Sequence, residues 1–152
     1  MRLRTYSTLF ALVFSLAAAT PAAADLPWQF DNNTRYMALG DSLVAGYGAV
    51  PATRGYVYLL YKDGAFDKVT NTLLSNAGVP GVTSRQVLEH QVPQAIEAFR
   101  PTVITLTVGG NDLLRILKGE AAGQVLSEFQ ANFTLILQNL RTALPNARIV
   151  VS

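Results

Sequence analysis

The 152-residue sequence has no cysteine and one histidine, His90. Without cysteine there is no disulfide framework and no thiolate metal site. A single imidazole also excludes a histidine-rich zinc centre. Charge is scarce as well, at 14% of residues, but 50% are hydrophobic, so a disordered chain is excluded. No collagen-like or heptad pattern occurs. The length allows one domain.

The basic character sits at the N-terminus. Residues 1–24 read as a secretory signal: Arg2 and Arg4, an apolar run from Leu9 to Ala19, then Ala22-Ala23-Ala24 before Asp25. The run is shorter than the roughly 20 residues of a spanning helix, so no stable membrane span is expected after its removal. Taking 24 from 152 leaves 128 residues (25–152), the expected domain. Lys+Arg then falls from 12 to 10, equal to the 10 Asp+Glu. The isoelectric point near 9.1 is therefore no sign of a nucleic-acid partner. The expected location is the bacterial periplasm or the extracellular space.

The rest alternates between short apolar runs and helical stretches. Tyr36-Met37-Ala38-Leu39, closed by Gly40, reads as a buried strand. Tyr56 to Tyr61 opens a short helix that stops near Gly64. Val69 to Leu74 reads as a second strand. A helix capped by Thr83 or Ser84 runs toward Arg100, interrupted at Pro93. Thr102 to Val108 is the third strand, and Gly109-Gly110-Asn111-Asp112 closes it. Val125, Phe129, Phe133, Ile136, Leu140 and Ala143 recur at spacings of four and three, the inward face of a long helix. Arg148 to Val151 begins a fourth strand. This order predicts an α/β fold: a doubly wound parallel sheet with helices on both faces.

In such sheets ligands bind beyond the carboxyl ends of the strands. Three polar, glycine-containing loops lie there, at 40–48, 76–81 and 109–112. In Gly40-Asp41-Ser42-Leu43, the serine is either a nucleophile at the sheet mouth, needing a nearby base, or a helix cap. In Gly109-Gly110-Asn111-Asp112, the uncharged Asn111 amide offers two N–H donors to a developing oxyanion, while the glycines admit close backbone approach. The same residues also suit a plain turn. Gly81 leaves its backbone N–H open, or is likewise a turn glycine.

Taken in order, the three segments resemble the blocks of the SGNH hydrolases, the GDSL family of esterases, lipases and thioesterases. Gly40-Asp41-Ser42-Leu43 is similar to the first block, Asn76 to Ser84 to the second, and Val108 to Asp112 to the third. The likeness spans Tyr36 to Ser152. It implies a flavodoxin-like fold and two-step ester hydrolysis through an acyl-serine. It assigns Ser42 as nucleophile, and the N–H groups of Ser42 and Gly81 with the Asn111 side chain as the oxyanion hole. It implies no metal and no organic cofactor. The partner would be a small-molecule or lipid acyl ester. Asp41 would hold its loop and not act in catalysis. The Gly-x-Ser-x-Gly elbow of other esterases does not occur around Ser42.

One departure matters. The family's base is a histidine in a late Asp-x-x-His block, and no such block occurs in these 152 residues. His90, within a predicted helix, is not expected to replace it. The chain is therefore read as the N-terminal part of a longer enzyme, weak or inactive by itself. The alternative is a non-catalytic protein that binds acyl or acetyl groups in the same cleft. Leu43 and Tyr47 are placed either at the acyl site or in the core. Substrate-binding residues and oligomeric state are not readable from the sequence.

Overall fold

A computed structural model describes residues 33–152. The reading of residues 1–24 as a signal lies outside them. Four strands form one parallel sheet: β1 (Thr34–Gly40), β2 (Thr72–Asn76), β3 (Val103–Thr107) and β4 (Arg148–Val151), in the spatial order β2-β1-β3-β4. Among the described residues, four helical segments besides two short 3-10 turns connect them. These are α1 (Tyr56–Lys62), α2 (Ser84–Gln86, continued by π-helical turns at Val87–Gln91 and Gln94–Phe99), α3 (Gly110–Leu117) and α4 (Ala122–Ala143). Among the described residues no helix is long and apolar enough to cross a membrane.

Strand periodicity divides the core. Met37 and Leu39 of β1 join Ile104 and Leu106 of β3 under α2 and α4. Tyr36 and Ala38 face the other way, with Val103, Val57 of α1 and the partly buried Phe66. Tyr36 meets Phe66 edge-on, with ring centroids 4.6 Å apart, and its hydroxyl lies 3.0 Å from Thr105 Oγ1. Burial pushes the Tyr36 phenol up to about 12, against a smaller opposing effect of the Thr105 hydrogen bond.

The chain turns from β1 to β2, then crosses back over β1 to β3. Connections therefore leave β1 and β3 in opposite directions, and a crevice opens between their carboxyl ends. That is the switch point of a 2-1-3-4 sheet. Gly40 and Thr107 are paired across it.

Several boundaries differ from the sequence expectations. The second strand starts at Thr72, because Val69–Asn71 forms a 3-10 turn. The Thr72 hydroxyl closes that turn by donating to the Lys68 carbonyl at 3.2 Å. Pro93 does not break α2. Wide π turns on either side accommodate a residue with no N–H to donate. Ala143 is exposed, and Leu144 takes the inward place. Finally, Gly110-Asn111-Asp112 does not merely close β3: it forms the first turn of α3.

Candidate active site

The three loops meet by direct contact. Gly40 has φ +143°, and a Cβ there would lie 1.9 Å from the Thr107 carbonyl oxygen, so only glycine fits this close crossing of β1 and β3. The turn beyond it is held by the buried Asp41, whose Oδ1 accepts from the Leu43 N–H at 3.0 Å. Ala45 N–H donates to Asp41 O, and Tyr47 N–H to Ser42 O. Ser42 sits half-buried on this turn. Among the described residues, neither its hydroxyl nor its N–H has a protein hydrogen-bond partner.

The second loop binds the first. Val79 N–H donates to Gly40 O at 3.1 Å, and Asn76 Nδ2 donates to Val44 O at 2.8 Å. Gly81, at φ +87°, is exposed, and its N–H likewise has no protein acceptor among the described residues. The third loop binds the second. Asn111 Nδ2 donates to Val82 O at 2.8 Å, one residue past Gly81. This uses one of two amide hydrogens and leaves the other free for a ligand. Asp112, 1% exposed, accepts from Ser84 N–H at 2.8 Å and from Ser84 Oγ at 2.7 Å. Asn132 of α4 donates to the same hydroxyl at 3.2 Å.

The model for GDSL-like lipases and acylhydrolases matches residues 38–152. The chain belongs to this family. Three similar solved structures are AlinE4, an SGNH-hydrolase family esterase (27% identity, TM-score 0.60), TesA (28%, 0.62), and the psychrotrophic esterase EstA from Pseudoalteromonas sp. inhibited by monoethylphosphonate (28%, 0.60). Each similarity covers 78% of this chain, and 58%, 59% and 58% of those chains respectively. The chain thus spans less than three-fifths of their length. No curated protein matches it.

In this GDSL-family chain, the loops carrying Ser42, Gly81 and Asn111 are joined at one end of the sheet, as the sequence implied. His90 is exposed on α2 and makes no hydrogen bond to Ser42. One expectation about glycine is corrected. Gly109 is buried, and a Cβ there would lie 2.8 Å from the Phe129 ring, so its small size serves packing of α4, not approach of a ligand. Leu43 and Tyr47 are not core: they are 61% and 77% exposed. With Tyr56, Leu60, Thr107 and Val150 they line a largely apolar cavity of about 480 Å³. Sequence reasoning missed Ser84, Asp112 and Gln91 as groups that hold the loops. The available signal was a polar residue at an inward helical position, as Gln91 is among Val87, Val92 and Ala95.

Proposed function

We propose that the protein is a serine ester hydrolase acting through an acyl-serine intermediate. Ser42 Oγ gives its proton to a base as it attacks the ester carbonyl; the C–O bond to the leaving oxygen breaks, the alcohol departs with that proton, and water then cleaves the acyl-serine to the acid and restores the Ser42 hydroxyl. The N–H groups of Ser42 and Gly81 and the free Asn111 amide hydrogen stabilise the tetrahedral oxyanion. The observation that carries this reading is the junction of the three loops at the β1/β3 switch point, which leaves those donors and the serine hydroxyl without protein partners among the described residues. The family match supports the chemistry.

Activating Ser42 needs a base within about 2.6–3.2 Å or one water away. No Asp-x-x-His lies in residues 1–152, so the base in this reading belongs to sequence outside them. The ester's acyl part would enter the cavity beside Leu43 and Tyr47, which favours an apolar chain. The signal-like residues 1–24 support action in the periplasm or outside the cell.

The test is phosphonylation of the complete protein by a fluorophosphonate, with peptide mapping, beside hydrolysis of short and long p-nitrophenyl esters. Modification at Ser42, with both activities lost in Ser42→Ala, is the expected result. Ester binding without turnover or modification would point to an acyl-binding protein instead.

A further inference from the structure

Gly40 is where β1 outruns its neighbour. In a parallel strand, the N–H and C=O of one residue point to the same side, alternating along the chain. Those of Ala38 face β2, since Ala77 N–H donates to Ala38 O. Two residues on, the same groups of Gly40 face the β2 side again. However, the last β1/β2 pair is Ala38 with Asn76. On that side the Gly40 carbonyl is met by Val79 N–H, just past β2, but among the described residues the Gly40 N–H has no main-chain acceptor, one residue before the Asp41-Ser42 turn begins.

The Gln91 side chain fills that place. It is 4% exposed. Its Oε1 accepts from Gly40 N–H at 2.7 Å, and its Nε2 donates to Gly40 O at 2.9 Å. A primary amide presents the same acceptor and donor as a backbone peptide, so Gln91 serves as a one-residue surrogate strand. The Gly40 oxygen also accepts from Val79 N–H of the Gly81 loop. One carbonyl thus ties the Ser42 turn, the Gly81 loop and α2 together. At Gln91 the inward face of α2 widens: Gln91 and Val92 are both buried, at the end of the π turn Val87–Gln91.

We propose that Gln91 is a positioning residue for Ser42. Resting on the hydrolase reading above, it fixes the two peptide planes that flank Gly40, and so the direction from which the Ser42 hydroxyl and N–H meet the carbonyl. Gln91 touches no reacting atom. Its removal leaves the pocket and its ligand contacts in place and loosens only the nucleophile's turn.

The experiment compares wild type with Gln91→Met, of similar shape but without the amide, in the complete protein. Two readouts are taken: fluorophosphonate modification of Ser42, resolved into its maximal first-order rate and half-saturating concentration, and amide hydrogen exchange. The maximal rate should fall about 10–100-fold, since small misplacements of reacting groups cost that order. Half-saturation should stay within about twofold. Faster exchange should be confined to residues 40–43, with β3 unchanged. General destabilisation would instead lower the amount of reactive protein and speed exchange throughout, which would overturn the proposal. So would a wild-type maximal rate in Gln91→Met. A wild type that leaves Ser42 unmodified sinks the hydrolase reading, and with it the catalytic part of this role. If Gln91→Met does not fold, wild-type exchange decides: a Gly40 amide as protected as that of Leu39 supports the splint, and a freely exchanging one overturns it.

Discussion

In the proposed hydrolase, Asn111 has two duties on one side chain. One amide hydrogen holds the Val82 carbonyl and with it the Gly81 loop; the other is left for an oxyanion. Asn111→Ala removes both. In the complete enzyme it should lower kcat by about 10²–10³ with little change in KM. A rise in KM alone, seen in steady-state kinetics, would make Asn111 a binding residue instead. Its type and place in the sequence pointed to oxyanion binding. The bond to Val82 was not legible, because it depends on how two loops distant in sequence settle against each other.

At the scale of elements, the site depends on how α3 and α2 are joined. The Asp112 carboxylate, in the first turn of α3, takes both donors of Ser84 at the start of α2. Asp112→Ala would leave two buried donors unpaired. At about 1–3 kcal/mol each, stability should drop by about 2–6 kcal/mol, measured as a lower urea midpoint. The partly buried Arg115 of α3 pairs with Glu120 of the linker (2.7 Å) and Glu128 of α4 (2.9 Å), and these ion pairs at the surface contribute far less. α4 offers a second check. Periodicity put Ala143 inside, but the helix ends there, and the following irregular residue turns Leu144 inward instead. Leu144→Ala should cost about 2–5 kcal/mol, whereas Ala143→Ser should stay within about 0.5 kcal/mol in the same denaturation assay.

For the whole molecule, Tyr36 links the core to pH. It is fully buried, between β3 and Phe66, and its folded-state phenol is raised to about 12 from the ordinary 10. A raised folded value means the stabilising contribution is complete below about pH 10 and is lost as pH climbs toward 12. The unfolded chain ionises first and is favoured across that window. Stability from denaturant melts should therefore fall between pH 10 and 12, and Tyr36→Phe should flatten the part of the fall due to this residue. Comparable slopes in both proteins would remove Tyr36 as the cause.

The sequence by itself determined the fold class, the strand and helix order, and the three loops at the strand ends. These follow from local signals: short apolar runs, a long helical period, and glycine, asparagine and proline where the chain turns. The family resemblance could be read from the same loops, since their residue types are contiguous. Only the tertiary structure decided what holds the loops in place. Gln91 against Gly40, Asp112 against Ser84, and Asn111 against Val82 are pairs 51, 28 and 29 residues apart. Hydrogen bonds of that range leave no periodic trace along the chain. They arise where β1 outruns β2 and where two helices start side by side, and those meetings exist only once the sheet has set its order.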